Sequence, residues 1–562
     1  MDKPWLASYP DGVPHEIDLT GHRSIVDLFQ TSCETFRDRV AYTSMGTRLT
    51  YADLDRLTRQ FAAWLQHEGL KPGDRIALMM PNVLQYPAAV FGALRAGLVV
   101  VNTNPMYTPR ELRHQLVDSG ARAIVVVENF AHVLEQVRDE VPVEHIITTG
   151  AGDLLGFPRS VLVNFVVRHL RKAVPKWQLP GSVTFRSVLD RGARLPLEPV
   201  NVGFEDIAFL QYTGGTTGVA KGAMLTHRNM VANMLQSRAW LQAAGIGEEA
   251  EVIITALPLY HIFALTANCL VFTSLGGTNV LVADPRDMPG FVKELSRVPF
   301  TMITGVNTLF NGLLNTPGFS DLDFSTLKGA LAGGMALQRA VAERWKSVTG
   351  KTLVEAYGLT ETSPAACMNP LDLEAYNGCI GLPIPSTECA VMNEDGDLLP
   401  AGETGELVVR GPQVMKGYWQ REEETARVIT QDGWLRTGDI AMMVDGGYFR
   451  IVDRKKDMIL VSGFNVFPNE IEDVIALHPK VAEVAAVGVP DPKSGEAVKI
   501  YVVPSDDSLT EEELRAHAAE NLTGYKRPRM IEFRDDLPKS NVGKILRREL
   551  REEEQPPADP AS

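Results

Sequence analysis

The chain has 562 residues, a formal net charge of −15 at pH 7, 45% hydrophobic residues and 22% charged residues. This length predicts roughly three or four domain-sized units, and the composition is typical of a soluble globular protein. The acidic balance argues against a nucleic-acid-binding protein, because phosphate contacts would require a basic surface.

The five cysteines are scattered, odd in number and free of any Cys-x-x-Cys pair; they are Cys33, Cys269, Cys367, Cys379 and Cys389. This pattern disfavours a disulfide framework or a zinc site and favours passive thiols in a reducing compartment. The first residues lack the apolar stretch of a signal peptide, and no run approaches the length needed to span a bilayer. The expected location is the cytoplasm, with peripheral attachment at the inner face of the cell membrane as an open alternative.

The first half of the chain alternates between helical and strand patterns, which predicts an α/β fold with a parallel sheet. Apolar residues recur at helical spacing over 52–68, and Pro72-Gly73-Asp74 then separates that helix from an apolar strand at 75–80. The pattern repeats as helix 87–96, strand 98–102, helix 109–119 and strand 122–127. An apolar stretch at 205–211 leads into a glycine-rich loop, at the kind of strand end where such folds bind ligands.

From about residue 385 the sequence changes to short strands separated by turns, as at 405–411 and 447–453. The turns Glu394–Asp397 and Asp445–Gly447 are typical of hairpins, which predicts a small β-rich subdomain. A compact α+β pattern follows the charged segment 454–457. The predicted units are an N-terminal domain over 1–452, a C-terminal domain over 453–550 and an acidic, proline-rich, disordered tail over 551–562.

The glycine-rich loop at 212–222 reads YTGGTTGVAKG. Its backbone N–H groups, hydroxyls and single ammonium favour a polyanionic ligand such as a nucleotide triphosphate tail. It is not a Walker motif, because no Gly-Lys-Ser/Thr follows at the required spacing, and considered alone it could be a plain turn. The candidate phosphate-binding residues are Thr213, Gly214, Gly215, Thr216, Thr217, Gly218 and Lys221.

Four further motifs follow the loop: YGLTE at 357–361, GWLRTGD at 433–439, YFRIVDRKKD at 448–457 and PKSNVGK at 538–544. In this order, the motifs resemble the adenylate-forming superfamily of acyl-CoA synthetases, peptide-synthetase adenylation domains and luciferases. The resemblance covers nearly the whole chain. Within the superfamily, bacterial long-chain fatty acid–CoA ligases are most similar, on the stretches 256–265, 285–295, 303–311 and 453–474.

The resemblance implies doubly wound α/β subdomains and a small β-rich subdomain in the N-terminal domain, followed by a mobile α+β C-terminal domain. It also implies an acid–thiol ligase that uses ATP, Mg²⁺ and coenzyme A and feeds fatty acid uptake and β-oxidation. A fatty carboxylate would attack ATP to give acyl-AMP and pyrophosphate, and the thiol of coenzyme A would then displace AMP. Because a carboxylate is already ionised at neutral pH, the first step needs alignment and charge neutralisation rather than a general base.

The resemblance assigns roles in the first step to residues of these motifs. Lys544 would place an ammonium beside the α-phosphate and the carboxylate, while Glu361 would hold Mg²⁺ with a hydroxyl from Thr360. Asp439 would accept the ribose hydroxyls, with Arg454 on the other side of the ribose. The residues implied around adenine are Gly333, Gly334, Tyr357 and Gly358. Without the resemblance, Lys544 could be an ordinary solvated lysine and Asp439 a turn cap.

A second set of residues is implied for the thioester step. Asp453 matches the hinge about which relatives rotate the C-terminal domain, and the loop Ser462-Gly463-Phe464 would then bind coenzyme A in place of the Lys544 loop. His261 resembles a residue near the acyl carboxylate that also shapes thiol access, although it could be a satisfied core histidine.

The resemblance has two departures and leaves the acyl tunnel undefined. Ala220 stands where many relatives have proline, and Leu265 stands where some long-chain relatives have a tryptophan gate. Tunnel candidates are Val306, Leu309 and Leu265. The sequence therefore determines neither the preferred acyl chain length nor the choice between monomer and homodimer.

The segment 154–177 is basic in an otherwise acidic chain. It carries Arg159, Arg168, Arg171, Lys172 and Lys176 and contains no acidic residue. Apolar residues near helical spacing are Leu162, Phe165, Val166, Leu170 and Val174, and Trp177 follows. Two interpretations stay open: an amphipathic helix that touches anionic lipid, or a helix packed on the main domain with a basic outer rim.

Two rival functions are also considered. One is an acyl-AMP ligase or adenylation domain that passes its acyl group to a carrier protein; the coenzyme A-type hinge segment and the lack of a carrier-domain pattern disfavour it. The other is a fatty-acid-binding or uptake protein without catalysis; the presence of Lys544, Glu361 and Asp439 disfavours that interpretation.

Overall fold

The protein's computed structural model describes residues 2–213 and 220–554. The α-helices are α1 Ile25–Thr35, α2 Tyr51–His67, α3 Gln85–Arg95, α4 Pro109–Ser119, α5 Ala131–Glu135, α6 Arg159–Phe165, α7 Phe185–Gly192, α8 His227–Ala243, α9 Ile262–Ala264, α10 Val271–Ser274, α11 Met288–Leu295, α12 Asn307–Asn315, α13 Arg339–Thr349, α14 Glu422–Val428, α15 Pro468–Ala476, α16 Glu511–Asn521 and α17 Arg547–Glu552. Two π-helical segments, Val166–Leu170 and Leu265–Leu270, directly follow α6 and α9.

The strands are β1 Val40–Ser44, β2 Thr47–Thr50, β3 Arg75–Met79, β4 Val99–Asn102, β5 Ala123–Val127, β6 His145–Thr149, β7 Val183–Thr184, β8 Ile207–Thr213, β9 Lys221–Thr226, β10 Val252–Thr255, β11 Thr278–Leu281, β12 Met302–Gly305, β13 Gly329–Gly333, β14 Leu353–Gly358, β15 Ala365–Met368, β16 Leu382–Pro383, β17 Glu388–Met392, β18 Leu398–Leu399, β19 Thr404–Arg410, β20 Gly417–Tyr418, β21 Leu435–Met443, β22 Phe449–Arg454, β23 Ile459–Val461, β24 Phe464–Val466, β25 Val481–Asp491, β26 Gly495–Pro504 and β27 Met530–Phe533.

Two large sheets form the α/β part of the molecule. One has nine strands in the order β16-β15-β14-β13-β12-β10-β11-β1-β2, and the other has eight in the order β20-β9-β8-β4-β3-β5-β6-β7. In the second sheet, β8, β4, β3, β5 and β6 are parallel neighbours. Parallel strands joined by helices end at one common edge of a sheet, and that edge faces the candidate site.

Local sequence explains where the crossover helices begin and end. Thr108 and Glu111 form a reciprocal capping box at the start of α4, with Pro109 in its first turn. Gly120 ends the same helix in the left-handed region at φ +61, which glycine adopts without a Cβ penalty. The helix predicted over 52–68 is observed as α2, which starts with a capping box between Thr50 and Asp53.

The predicted fold class is confirmed, with one addition that the sequence did not indicate. Strand β9 pairs antiparallel with β8 and opposes Thr213 to Lys221, so a hairpin encloses the glycine-rich loop. Of that loop, residues 214–219 lie outside the described part of the chain. The other two sheets each have five strands. The third sheet, in the order β18-β17-β19-β21-β22, is formed by strands within residues 388–454, and strands β23–β27 form the fourth sheet, in the C-terminal region.

Apolar side chains are buried in separate clusters. The largest joins both large sheets, because it includes Tyr42 of one sheet and Leu78 of the other. The C-terminal region packs around its own cluster, which includes Ile471, Ile500 and Leu514. Of the residues assigned above to the tail, Arg551 and Glu552 belong to α17, and Glu554 accepts a hydrogen bond from Lys499 Nζ at 2.6 Å. A tail could therefore begin only after Glu554, and residues 555–562 lie outside the described ranges.

The basic segment 154–177 contains a shorter helix than its apolar spacing suggested. The helix runs through α6 and its π continuation and ends at Leu170. Lys172 has a positive φ of 50°, which takes the chain out of the helix before Val174. Trp177 packs partly buried against an apolar cluster of the main domain. Over 2–213 and 220–554, the helices are all too short or too polar to cross a bilayer.

Candidate active site

A cavity of about 1690 Å³ lies where the N-terminal sheets, the third sheet and the C-terminal region meet. This volume exceeds the roughly 300–1,000 Å³ typical of a single small-molecule site. The sequence-predicted residues that line it are Thr213, Lys221, His261, Gly333, Gly334, Tyr357, Gly358, Thr360, Glu361, Asp439, Asp453, Arg454 and Lys544. Gly214, Gly215, Thr216, Thr217 and Gly218 lie outside the described residues.

The base of the glycine-rich loop is held by polar contacts that sequence reasoning missed. Tyr212, which precedes the loop, donates its hydroxyl proton to Asp118 Oδ2 at 2.6 Å. Arg421 Nη2 donates to the other oxygen of Asp118 at 2.8 Å. Lys221 forms an ion pair with Glu424, so its ammonium has a carboxylate partner that a polyphosphate would replace.

Glu361 lies beside this loop on a 3₁₀ turn, Thr360–Thr362. The hydroxyl of Tyr418 donates to Glu361 Oε1 at 2.7 Å, and burial together with Glu361 raises the pKa of Tyr418 well above its ordinary value. Tyr418 belongs to β20, which pairs with β9 after the glycine-rich loop. The tyrosine therefore connects the carboxylate to the loop base, and no motif in the sequence indicated it.

The Glu361 site fits a magnesium ion held jointly with substrate. Mg²⁺ in phosphate-transfer sites usually takes one or two carboxylates and completes its shell with phosphate oxygens and water. The described residues contain no group of three His, Cys, Asp or Glu side chains arranged to hold a metal. A single carboxylate that is joined through Tyr418 to β9 suits a metal ion whose remaining ligands come from the substrate and water.

Asp439 is held by Arg454, which the resemblance places on the other side of the ribose, and by Tyr357, which it places beside adenine. The hydroxyl of Tyr357 donates to Asp439 Oδ2 at 2.6 Å, and Arg454 Nε lies 3.5 Å from Oδ1. Burial raises the pKa of Asp439, whereas Arg454 and the Tyr357 hydrogen bond oppose that rise. The carboxylate thus acts as an oriented acceptor in the cavity wall rather than as a turn cap.

Two glycines allow close approach in the implied adenine region. A Cβ on Gly358 would lie 1.8 Å from the carbonyl oxygen of Pro364, so only glycine fits there. Gly334 has a φ of +82, and a Cβ there would lie 3.2 Å from Cε of Lys544. The second distance also shows that the side chain of Lys544 extends to Gly334.

Lys544 is one of several cationic residues in the cavity wall, and its ammonium is buried. Burial and the neighbouring Arg454 lower its pKa to about 8, whereas Asp439 and Glu361 act in the opposite direction. The same ammonium contributes to lowering the pKa of His261 to about 3, although burial is the larger cause. Asp439 and Glu361, the two carboxylates that the resemblance places near ATP, therefore lie close to the ammonium of Lys544, which belongs to the C-terminal region.

A pair of hydrogen bonds from α12 holds the C-terminal region in this position. Thr308 Oγ1 donates to the carbonyl oxygen of Gly543 at 2.8 Å, next to Lys544. Asn311 Nδ2 donates to the carbonyl oxygen of Ala482 at 2.9 Å. Gly543 has a φ of +80, and a Cβ there would lie 2.8 Å from Thr308 Oγ1. These contacts lacked any sequence signal, because their partners are far apart in the chain.

Asp453, the implied hinge residue, is fully buried at the end of β22. Its carboxylate accepts hydrogen bonds from the backbone N–H of Asn469 at 2.8 Å and from Arg547 Nη1 at 3.2 Å. Burial raises its pKa, and the Arg547 guanidinium opposes that rise. Asp453 is thus bonded to α15 and to the residue that begins α17.

The structure does not bring Ser462, Gly463 and Phe464 to the cavity. Ser462 and Gly463 form the turn between β23 and β24, where Gly463 has a φ of +84, and Phe464 begins β24. Phe464 is 54% exposed and stacks on Tyr525 with ring centroids 4.6 Å apart. In this arrangement the implied coenzyme A loop and the Lys544 loop occupy different sides of the C-terminal region.

His261 begins the short helix α9, where its Nδ1 accepts a hydrogen bond from the backbone N–H of Phe263 at 3.3 Å. Because its pKa is low, the ring is neutral and carries its proton on Nε2. His261 therefore caps the first turn of α9 and also lines the cavity.

The apolar part of the cavity differs from the tunnel that the sequence suggested. Val306, Leu309 and Leu265 do not line the cavity; Leu265 is fully buried, and a Cβ on Gly543 would lie 3.3 Å from Cγ2 of Val306. The cavity instead reaches the core through apolar residues that include Leu241, Ile253, Val271, Phe272, Met302 and Leu331. Their shared position between α8, the second π segment and the nine-stranded sheet arises only on folding.

Comparisons with known proteins agree with this geometry. The family described as AMP-binding enzyme matches residues 29–419, and the AMP-binding enzyme C-terminal domain matches residues 470–544. Long-chain-fatty-acid–CoA ligases from Yersinia pestis and Escherichia coli O6:H1 are each 58% identical to the chain, covering 99% and 98% of it and 98% of either relative. The crystal structure of ATP-bound MatB from Rhodopseudomonas palustris superposes with a TM-score of 0.78 at 28% identity, covering 94% of this chain and 98% of that one. The identification as an adenylate-forming enzyme is confirmed: the chain belongs to the family of AMP-binding enzymes.

Proposed function

We propose that the protein is a long-chain fatty acid–CoA ligase that uses ATP, Mg²⁺ and coenzyme A. The observation that carries the proposal is one cavity in which Lys544, Glu361 and Asp439 meet an apolar extension into the core. A nucleotide and a fatty acyl chain need these two environments side by side. The two relatives at 58% identity bear the same activity in their names.

In the first half-reaction, the residues of the cavity bind and orient rather than transfer protons. Thr213 and Lys221 would flank the β- and γ-phosphates, and Asp439 would accept hydrogen bonds from the ribose hydroxyls, held in place by Tyr357 and Arg454. The ammonium of Lys544 would stabilise negative charge where the carboxylate attacks the α-phosphate. Magnesium, held by Glu361 with Thr360 nearby, would neutralise phosphate charge. Preorganised charges of this kind usually supply the largest part of catalysis.

In the second half-reaction, the thiol of coenzyme A would displace AMP from acyl-AMP. We assign this step to a second orientation, in which the C-terminal domain turns at Asp453 and the loop Ser462-Gly463-Phe464 lines the thiol channel. Neutral His261 would border the acyl carbonyl without adding charge. Because Lys544 serves only the first step, its removal from the cavity opens space for the thiol.

We also propose the organisation and location implied by the resemblance. The N-terminal domain would extend over 1–452 and the C-terminal domain over 453–550. The chain leaves the third sheet after β22 and enters the sheet of the C-terminal region at β23. The protein would act in the cytoplasm and at the inner face of the cell membrane, as a monomer or homodimer. No nucleic acid is expected among its partners, given the net charge of −15.

The direct test is thioester formation from acetate, octanoate, palmitate and oleate with ATP, Mg²⁺ and coenzyme A. We expect the highest kcat/KM with palmitate or oleate. A maximum with octanoate would keep the mechanism but overturn the long-chain assignment. Accumulation of acyl-AMP without thioester would indicate the carrier-loading rival, and failure to release pyrophosphate would indicate a binding protein.

A further inference from the structure

An unusual group of apolar side chains is exposed on the helix that follows β6. Of the fourteen large apolar residues exposed among the described residues, five lie within fourteen consecutive positions: Phe157, Val161, Leu162, Phe165 and Leu170. They are between 52% and 87% exposed. Single exposed apolar residues are ordinary on protein surfaces, whereas a contiguous group marks a surface that contacts another apolar phase or partner.

The helix is firmly attached through its opposite face, so the apolar face points outward in the folded protein. Asn164 accepts a hydrogen bond from the backbone N–H of Gly152 at 2.8 Å and donates one to Asp153 at 2.9 Å. Arg168 makes a bidentate pair with Glu128, at 2.8 and 2.9 Å. The outer face of the helix is therefore apolar, although the helix is also packed on the main domain.

Positive charge lies next to the apolar face. Arg159 donates to the carbonyl oxygen of Gly46 and Arg168 pairs with Glu128, so these two residues serve the attachment. Arg171, Lys172 and Lys176 are exposed just beyond the end of the helix. The chain as a whole carries a charge of −15, and a basic cluster beside an exposed apolar group is complementary to the headgroups and acyl boundary of an anionic bilayer.

We propose that residues 157–176, named here the docking segment, bind the surface of an anionic lipid bilayer. The apolar side chains would insert at the level of the headgroup–acyl boundary, and the three exposed cations would contact lipid phosphates. The occupant is lipid rather than another protein, because apolar exposure and cationic charge are combined on one short segment within an acidic protein.

The position of the docking segment in the fold gives this binding an orientation. Glu128 follows β5 and Gly152 follows β6, so the segment attaches at the carboxyl edge of the eight-stranded sheet. Asn102 and Gln211, at the carboxyl ends of β4 and β8, line the cavity at the same edge. Docking would therefore turn the cavity edge toward the bilayer, where a long-chain acid partitions. Only the statement that the cavity edge would face a membrane holding a long-chain acid rests on the proposed function.

The test is co-sedimentation of the full chain with phosphatidylcholine vesicles, with and without phosphatidylglycerol. The apolar variant is Leu162→Ser/Phe165→Ser/Leu170→Ser, and the charge variant is Arg171→Gln/Lys172→Gln/Lys176→Gln. A matched control, Val117→Ser/Leu398→Ser/Leu477→Ser, removes exposed apolar residues elsewhere. We expect the wild type and the control to bind anionic vesicles, the apolar variant to lose binding, and the charge variant to bind about 100-fold more weakly at low salt.

Thioester formation from octanoate in solution separates this proposal from the proposed function. All variants should form the thioester at the wild-type rate without vesicles. A wild type that forms no thioester would count against the proposed ligase activity and not against lipid docking. The docking proposal is overturned if the apolar variant binds vesicles as the wild type does, or if the wild type binds neither kind of vesicle. Light scattering that shows a wild-type dimer and a monomeric apolar variant would also overturn it, since the face would then join two copies of the chain.

Discussion

Two loops of the C-terminal region have opposite surroundings, although the resemblance assigns both to the same reaction. The side chain of Lys544 extends into the cavity and lies beside Gly334, Asp439 and Glu361. Phe464 is outside the cavity and stacks on Tyr525. In this orientation Lys544 lies in the cavity and the loop proposed to bind the thiol lies outside it, as expected if the two half-reactions use the cavity in turn.

The strength of the attachments explains how such an exchange can occur. Near Lys544, the docked region is held by the single hydrogen bonds of Thr308 and Asn311, each worth about 0.5–1.5 kcal/mol net. Asp453, in contrast, is bonded to Asn469 and Arg547 within the C-terminal region. The contacts between Asp453, Asn469 and Arg547 would stay intact if the C-terminal region turned away from α12 as a unit, as the proposed function requires.

The largest expected effect comes from Lys544→Ala. Removing the ammonium from the cavity should lower the rate of pyrophosphate release by about 10²–10³-fold, because a preorganised charge is lost from the transition state. Thioester formation from supplied acyl-AMP should stay within about twofold of the wild-type rate. Measuring the two half-reactions separately checks this result. Equal losses in both half-reactions would contradict the assignment of the two loops to different steps.

The second prediction concerns pH. Because Lys544 has a pKa of about 8 in the protein without ATP, its ammonium is present below that pH and lost above it. The kcat/KM of ATP for pyrophosphate release should therefore decline above about pH 8, by up to about tenfold per pH unit.

A profile measured between about pH 7 and 10 would reveal this decline. The matched variant is Lys544→Arg, whose guanidinium stays protonated and should remove the decline whatever its absolute rate. A decline that persists in Lys544→Arg would assign it to another group.

The third prediction concerns the exposed loop. Phe464→Ala removes the ring that stacks on Tyr525, an interaction worth about 0.5–1.5 kcal/mol, so loop order and thiol binding should weaken. We expect thioester formation from acyl-AMP to slow by about 2–10-fold, with pyrophosphate release unchanged. If only pyrophosphate release changed, the loop would have no part in the second step.

The last prediction, of similar size, concerns Thr308→Val, which keeps the side-chain shape and removes the hydrogen bond to Gly543. Pyrophosphate release should slow by about 2–10-fold, corresponding to one hydrogen bond. Thioester formation from acyl-AMP should not decrease, because the variant weakens only the orientation that holds Lys544 in the cavity. Slower thioester formation in this variant would contradict that assignment.

The sequence predicted much of the α/β core and the identity of many residues at the cavity. Helix α2 and strand β3 follow their apolar periodicity, and the capping box at Thr50 is a local signal. The motif residues Glu361, Asp439 and Lys544 line one cavity, as their resemblance to a family implied. The sequence carries these signals because periodicity, capping and motif spacing are properties of short stretches of chain.

Contacts between distant segments could not be predicted in the same way. Tyr418 bonds to Glu361 across 57 positions, and Thr308 bonds to Gly543 across 235. The lining of a cavity likewise depends on how helices pack against a sheet, and Val306, Leu309 and Leu265 are not part of it.

The sequence by itself therefore determined the fold class, the chemistry of the motifs and the unusual charge of 154–177. Only the tertiary structure decided which loop of the C-terminal region occupies the cavity and that the helix ending at Leu170 turns its apolar face outward. The physical reason is that local patterns specify what a segment can form, whereas burial and exposure are set by the elements that pack against it.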